Sequence, residues 1–167
     1  WLFIPHAFRS VHFDRTTSTP VITLNAKRES VSLISAITNQ GKVRFMLYDK
    51  AMNAQIFIKF CSRLIKDSGK KIYLILDNLR VHHCKLVKDW VEQHKDQIQL
   101  FFLPSYSPEL NPYEYLNCDL KTGVHSTTPA RSKTELKSKA LSHLQMLQKK
   151  PNRVAKYFEH PKIAYAA

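Results

Sequence analysis

The sequence predicts an α/β protein whose mixed β-sheet is flanked by helices. Two strand-like runs, at residues 21–24 and 31–37, come first, and later strand-like runs alternate with amphipathic helices. A meander followed by strand–helix alternation is typical of a sheet that combines antiparallel and parallel strands. The length of 167 residues is usual for one domain, and 44% hydrophobic residues is ordinary for a globular chain.

The N-terminal half predicts strands, a hairpin and a helix in turn. Both early runs are rich in the β-branched residues that favour strands. The turn at residues 39–42 should return the chain as a hairpin through the alternating segment 43–48. A helix is then predicted from about Asn53, an N-cap residue type, to about Lys66.

The C-terminal half alternates between strands and helices. The continuous apolar run 72–76 predicts a strand buried on both faces, and Asp77 ends it. The run 98–103 predicts the next strand, which Pro104 stops. Helices are predicted around residues 86–91, 133–149 and 153–158, with a further helix start at Asn111-Pro112.

The charge of the chain indicates a polyanionic partner. The formal net charge is +13, and residues 119–167 hold ten basic but three acidic residues. Residues 51–118 are more balanced, with nine basic and seven acidic residues. A solvated, lysine-rich helix face would give the same composition. Phosphate contacts are the usual role of such an excess, so DNA is the expected partner.

Composition also bounds where the chain works. No apolar run approaches the roughly 18 residues of a membrane span, so no membrane partner is expected. The first residues have neither the basic nor the long apolar region of a signal peptide. Three widely spaced cysteines argue against a disulfide framework and for a reducing compartment. We therefore expect a cytoplasmic protein.

Two carboxylates stand at positions where chemistry is expected. Asp77 follows a buried strand, and α/β sheets place ligands at such strand ends, although a helix-capping Asp would look the same. Glu114 lies three residues after Asn111, which fits a capping-box partner. Alternatively Glu114 faces Asp77, because one helix, one strand and one loop return the chain to the same sheet edge. Two converging carboxylates would suit divalent metals and phosphoryl transfer on DNA.

A zinc site is the weaker alternative for this region. His82, His83 and Cys84 follow Asp77 closely, but a zinc site needs four ligands at recognisable spacing. Cys118 and His125 are the nearest further candidates. A histidine beside a carboxylate or facing a phosphate is the better interpretation.

Two sequence blocks resemble a known family. The block YLILDNLRVH at residues 73–82 resembles the second catalytic motif of DDE-superfamily transposases. The block FLPSYSPELNPYE at residues 102–114 resembles the third. Together they are similar to the bacterial insertion-sequence branch of the mariner-like group, and the resemblance covers about residues 19–167.

This resemblance implies a ribonuclease-H-like fold that cuts transposon ends and joins them to target DNA. It implies two Mg²⁺ (or Mn²⁺) ions held by three carboxylates. Asp77 matches the second catalytic, metal-binding carboxylate and Glu114 the third, while Asn78 and His82 match positions beside the site. The resemblance also implies a homodimer bound to DNA, which would place the protein on the nucleoid.

The N-terminus departs from the family pattern. The family's first carboxylate comes from an Asp-Glu motif on the first strand, and residues 1–4 are strand-like without an acid. Asp14 and Asp49 are the nearest acids, and neither matches the motif. We therefore expect a non-family segment at residues 1–18, a first strand that is degenerate or missing, and a catalytic core at 19–167 with basic C-terminal helices.

Three functional hypotheses follow. The first is a catalytic core of a DDE transposase, truncated before its first carboxylate and its helix-turn-helix region, and inactive alone. The second is an inactive remnant that binds DNA non-specifically. The third is a stand-alone ribonuclease-H-like nuclease. An out-of-frame Asp-Glu motif in the upstream DNA would favour a broken transposase.

Overall fold

Five strands and five α-helices make up the computed structural model over the residues it describes, which are 2–9, 30–49, 51–104, 108–126 and 128–166. The strands are β1 (Leu2–Arg9), β2 (Ser30–Ile37), β3 (Val43–Tyr48), β4 (Ile72–Leu76) and β5 (Ile98–Phe102). The helices are α1 (Ala54–Ser68), α2 (Lys85–Gln93), α3 (Tyr113–His125), α4 (Lys133–Gln148) and α5 (Pro151–Ala155). Short 3₁₀ turns lie at Arg80–His83, Pro108–Leu110, Lys156–Phe158 and Pro161–Ala166.

The sheet is mixed, as the sequence predicts. Its strand order is β3-β2-β1-β4-β5. The pairs β1–β2 and β2–β3 are antiparallel, and the pairs β1–β4 and β4–β5 are parallel. The antiparallel half comes from the N-terminal strands and the parallel half from the strand–helix alternation, so the two kinds of connection produce the two kinds of pairing.

The first strand is present. Its backbone pairs with β2 along all eight residues, from Leu2 opposite Ile37 to Arg9 opposite Ser30. Its pairing with β4 is limited to two residue pairs, Leu2 with Ile75 and Phe3 with Leu76. Of the two expected alternatives, a degenerate or a missing first strand, the structure excludes only the second, because residues 2–9 pair with β2 along their whole length. The strand predicted at 21–24 lies outside the described residues, and the boundary at residue 19 stays a prediction.

The predicted hairpin and first helix are confirmed. Strands β2 and β3 meet at the pair Ile37–Val43, across a turn in which Gly41 has φ of +81°. The side-chain oxygen of Asn53 accepts a hydrogen bond of 2.9 Å from the backbone of Ile56 and so caps α1. Gly69, with φ of +61°, ends that helix in a left-handed conformation.

Alternation along the strands divides the core between two faces of the sheet. On one face, β2, β4 and β5 pack under α1 and α2 through Ile34, Ala36, Ile72, Leu74, Leu76, Ile98, Phe57, Phe60, Leu64 and Val87. On the other face, β2 and β3 pack under α3 and α4 through Val31, Leu33, Ile37, Val43, Leu116, Leu120, Val124, Leu136, Leu144 and Leu147. Each face is continuous with one pair of helices, as the period of two in the strands requires.

One burial prediction is wrong in part. The sequence predicts that β4 is buried on both faces, but Tyr73 is 55% exposed. Helices α3 and α4 cover β2 and β3 on this face and reach β4 at Ile75, but the face is open around Tyr73. Tyr73 lies on that open part and packs against Phe101, with 6.2 Å between ring centroids.

A polar cluster fixes α3 against the C-terminal helices. The carboxylate of Asp119, on α3, accepts hydrogen bonds of 2.6 and 2.9 Å from Arg153 and one from Tyr157. The His143 ring, on α4, lies 2.8 Å from the same carboxylate. A Cβ atom at Gly123 would stand 2.0 Å from that ring, so the small residue permits the close approach of α3 and α4.

Within the described residues, none of the helices combines the length and the apolar character needed to cross a membrane.

Candidate active site

The ends of β4 and β5 bring together the two motif segments. Asp77 directly follows β4, and the backbone N–H of Leu103, after β5, donates a 2.7 Å hydrogen bond to the carbonyl of Leu76. Because these two strands are parallel, their carboxyl ends lie at the same edge of the sheet. The chain then passes through one 3₁₀ turn into α3, whose second residue is Glu114.

Glu114 is not used to cap its helix. The side-chain oxygen of Asn111 accepts a 3.1 Å hydrogen bond from the backbone of Tyr113, the first residue of α3. In the part of the chain that the structure describes, the Glu114 carboxylate makes no reciprocal bond to Asn111. The capping-box alternative therefore does not hold. The carboxylate of Glu114 is partly buried, and its negative charge raises the pKa of Asp77.

The negative charge of Asp77 is poorly stabilised by its surroundings. Burial raises its pKa to about 6, a backbone hydrogen bond from Leu79 lowers the pKa, and the negative charge of Glu114 raises it. Its Oδ1 atom is buried and accepts no hydrogen bond from the described residues. A buried carboxylate oxygen that accepts no hydrogen bond reduces the free energy of unfolding, so the carboxyl is stabilised either by protonation or by a bound cation.

The buried His82 side chain contacts Asp77 at the carboxyl end of β4. Its ring is buried and packs on Phe57, with 4.7 Å between centroids. Its Nδ1 atom lies 3.1 Å from the backbone carbonyl of Asp77 and 3.4 Å from Oδ1. Burial lowers the pKa of His82 to about 4, the contact with Asp77 raises the pKa and the neighbouring His83 lowers it. A neutral His82 therefore donates to the carbonyl and leaves Oδ1 available to a ligand.

Asn78 connects the site to His83 through a hydrogen bond between their side chains. Its exposed side-chain oxygen accepts a 2.5 Å hydrogen bond from Nε2 of His83. The His83 ring packs on Phe102, the last residue of β5, with 4.4 Å between centroids. The spacing of five residues between Asn78 and His83 could not reveal this contact, because it depends on the 3₁₀ turn that follows Asp77.

Asp49, one of the two acids that the sequence offers in place of a first carboxylate, lies away from the end of β4. Asp49 follows the edge strand β3, three strands away from β4, and pairs with Lys133 at 3.3 Å and Lys137 at 3.9 Å. Asp14 lies outside the described residues. Strand β1, which pairs with β4, contains no Asp or Glu. Among the described residues, no group of three or more His, Cys, Asp or Glu side chains is arranged to hold a metal.

Asp77 and Glu114 nevertheless fit a divalent cation. A positive charge would be stabilising at this position. The Oδ1 atom of Asp77 accepts no hydrogen bond from the described residues, its pKa is raised, and Glu114 adds a second negative charge. Carboxylate oxygens are hard ligands, which suit Mg²⁺ or Mn²⁺ rather than the nitrogen and sulfur sites of zinc. The described residues supply two carboxylate ligands here, one fewer than the resemblance implies.

The C-terminal cationic excess is partly neutralised within the fold. Lys133 and Lys137 pair with Asp49, Lys139 pairs with Glu135, and Arg153 pairs with Asp119. Other lysines have no carboxylate partner among the described residues and are exposed: Lys121, Lys149, Lys150, Lys156 and Lys162. We call these five the C-terminal lysines.

Comparison with solved structures supports the fold. The chain is similar to the Mos1 mariner transposase in a paired-end complex with Mn, with 17% identity, a TM-score of 0.64 and coverage of 99% of this chain and 54% of that chain. The Mos1 catalytic domain gives 14% identity, a TM-score of 0.60 and coverage of 99% and 81%. The catalytic core domain of BIV integrase gives 16% identity, a TM-score of 0.56 and coverage of 96% and 97%.

Comparison of sequences identifies the family. No curated protein sequence matches the chain significantly. The chain spans about half of the Mos1 transposase chain in the complex with the left transposon end, at 54%. The model of the DDE superfamily endonuclease family matches residues 9–137, which include both motif segments and the two carboxylates. With this match and a ribonuclease-H-like fold shared with transposase and integrase catalytic domains, the chain belongs to the DDE superfamily of endonucleases.

Proposed function

We propose that this chain is the catalytic region of a DNA transposase that cleaves and joins DNA strands with divalent metal ions at Asp77 and Glu114. The observation that carries the proposal is the buried Oδ1 atom of Asp77, which has no hydrogen bond in the described part of the chain and lies at the ends of two parallel strands, near enough to Glu114 for its charge to raise the pKa of Asp77. Membership of the DDE superfamily supports DNA cleavage as the reaction. Within the family, the motif segments favour the bacterial insertion-sequence branch.

Asp77 and Glu114 would hold the metal, with Mg²⁺ as the expected ion and Mn²⁺ as its substitute. When bound, such an ion polarises the phosphate and activates the attacking oxygen. The residues of the chain prepare the site by holding the ligands still. His82 is neutral at pH 7 and fixes the carbonyl end of Asp77, so it adds no positive charge that would compete with the cation.

The chain alone is expected to be inactive. Mg²⁺ demands near-octahedral geometry and keeps several waters, so two carboxylates should hold one ion weakly. Two-metal displacement stabilises both the attacking and the leaving oxygen, and a weakly held single ion cannot do both. The strand beside Asp77 offers no acid to complete the set.

A supercoil-nicking assay with Mg²⁺ or Mn²⁺ tests the catalytic part of this proposal. The wild-type chain should nick no faster than Asp77→Ala or Glu114→Ala, and fusion of an upstream segment with an Asp-Glu motif should restore nicking. Mn²⁺ titration should show weak binding that either substitution abolishes, whereas Asp89→Ala, at an exposed acid on α2, should retain it. Robust nicking by the unfused chain, lost in either variant, would contradict its inactivity and favour a stand-alone nuclease.

A second function, non-specific DNA binding without catalysis, is favoured by the C-terminal lysines. Neutralising phosphates releases counterions, so the affinity for duplex DNA should fall with salt at a log–log slope of roughly −0.9 per phosphate contact. Replacing both Lys149 and Lys150 by Ala should make that slope shallower. The control Lys133→Ala should change it less, because Lys133 is already paired with Asp49. A flat salt titration would exclude this function.

The resemblance also implies a homodimer, and we include in this proposal that the chain forms a homodimer on DNA. Sedimentation of the chain with and without a DNA end measures it directly. A monomer under both conditions would remove that part of the proposal.

A further inference from the structure

An exposed aromatic surface lies beside Asp77 and is not used by the mechanism described above. Phe102 ends β5 and is 41% exposed, although it belongs to the face of the sheet that α1 and α2 otherwise cover. Its ring packs against the exposed His83, tilted by 34° with centroids 4.4 Å apart. We call Phe102 and His83 the aromatic pair.

The aromatic pair is fixed in place relative to Asp77. Phe102 is the partner of Leu76 in the parallel ladder, and Leu76 precedes Asp77 in the chain. On the other side, His83 donates to Asn78, which follows Asp77. Both rings are thus tied to the residues that flank the candidate metal ligand. A group stacked on them would lie next to a phosphate held at the site.

The charges around the aromatic pair favour a nucleic acid strand. Arg80 lies in the same 3₁₀ turn as His83, and Lys85 and Lys88 follow at the start of α2. All three side chains are exposed, and none forms an ion pair with a carboxylate in the described part of the chain. Cations that track a backbone, combined with aromatic rings that stack on bases, are the features by which proteins hold single-stranded DNA.

We propose that Phe102 and His83 form a stacking platform for an unpaired base of the DNA strand whose phosphate lies at Asp77 and Glu114. The inference rests on the proposed function and adds the state of its substrate, a DNA end that is locally single-stranded. The platform positions the strand and takes no part in bond breaking. Loss of the stacking of one base on an aromatic side chain should weaken binding by roughly tenfold.

Substitutions can separate stacking from simple packing. Phe102→Leu keeps an apolar side chain against His83 but removes the aromatic face, whereas Phe102→Trp keeps the face. Phe101→Leu is the matched control, because Phe101 is 43% exposed on the same strand but points to the opposite face of the sheet. Thermal unfolding of each variant reports any loss of packing independently of DNA.

The probe is a DNA duplex with a three-nucleotide single-stranded end that carries 2-aminopurine, compared with a blunt duplex. The wild-type chain should quench the 2-aminopurine fluorescence, as stacking does. Phe102→Leu should bind the single-stranded end roughly tenfold more weakly and lose the quenching, with blunt-duplex binding unchanged. Phe102→Trp and Phe101→Leu should behave as wild type.

Equal effects of Phe102→Leu and Phe101→Leu, or unquenched fluorescence with the wild-type chain bound, would overturn the platform. The proposed function fails by a different measurement, the absence of Mn²⁺ binding that depends on Asp77 and Glu114. Intact Mn²⁺ binding with no quenching would therefore reject the platform and leave the proposed function standing.

Discussion

Replacing Asp119 by Asn should destabilise the protein by removing the charge that joins α3 to the C-terminal helices. The Asp119 side chain is 9% exposed and accepts two hydrogen bonds from Arg153 and one from Tyr157, and it also contacts His143. Asn has a similar shape, so the substitution creates little cavity. It places an amide N–H₂ against groups that are themselves donors.

The magnitude follows from these contacts. Hydrogen bonds to a charged group contribute about 1.5–3 kcal/mol each, but they are not additive and Asn keeps one acceptor oxygen. The Arg153 side chain is 50% exposed, so solvent screening reduces its share. We expect a loss of about 2–3 kcal/mol, which for a chain of this size lowers Tm by roughly 5–10 °C.

Urea unfolding at pH 7, followed by tryptophan fluorescence, measures this loss. Asp67→Asn is the matched control, because Asp67 makes a single 2.9 Å bond to Arg44 and its side chain is 48% exposed. The control should cost below about 1 kcal/mol, as exposed ion pairs do. Equal stabilities of Asp119→Asn and wild type would refute the cluster as a stabilising element.

The pH dependence of the same pair of proteins provides a second check. Burial raises the pKa of Asp119, but hydrogen bonds from Arg153, Tyr157 and His143 outweigh it and lower the pKa below its usual value. A lowered folded-state pKa means that the stabilisation is fully present above the unfolded pKa of about 3.9. The difference between wild type and Asp119→Asn should therefore persist from pH 7 to about 4 and shrink as the pH falls further. A difference that vanishes already at pH 5 would contradict the assignment.

Three further predictions concern stability, and urea unfolding checks each of them. In the presence of a chelator, Asp77→Asn should be more stable than wild type at pH 7 by about 1–3 kcal/mol. The pKa of Asp77 is about 6 in the folded protein and about 4 in the unfolded chain, so the wild-type protein loses stability as the pH rises through this range. A variant less stable than wild type would contradict this cost of the buried charge. Gly123→Ala should cost about 1–3 kcal/mol, since its Cβ would stand 2.0 Å from the His143 ring, and a neutral effect would mean that the ring moves aside freely. Gly41→Ala should cost at least about 2 kcal/mol, because its φ is +81° and its Cβ would stand 2.0 Å from the Pro151 carbonyl oxygen; wild-type stability would show that this turn shifts without strain.

Local patterns in the sequence predicted most of the elements because those elements depend on neighbouring residues. The hairpin of β2 and β3, the cap at Asn53 and the strand that ends at Asp77 all follow from short-range periodicity and turn chemistry. The motif segments likewise identified the family without reference to distant contacts, and the match over residues 9–137 confirms that identification.

The burial and pairing of single residues depended on long-range contacts that no local pattern encodes. Tyr73 is exposed because α3 and α4 do not extend over it, although its own segment is continuously apolar. Strand β1 spans residues 2–9 because β2 and β4 offer backbone groups for pairing on its two sides, whereas the sequence indicates a strand-like run only at residues 1–4.

The candidate site divides along the same line. Neighbouring residues are enough to predict that Asp77 follows a strand and that Glu114 lies at the start of a helix, because strand ends and helix starts depend on local sequence. The contacts between distant segments follow only from the folded chain: the charge of Glu114 raises the pKa of Asp77, His82 contacts Asp77 from the core, and His83 packs on Phe102. Ring contacts require a separation of a few ångströms, and charges act on one another over about 10 Å in salt. These interactions exist only once parallel pairing of β4 and β5 has brought separate segments of the chain to one edge of the sheet.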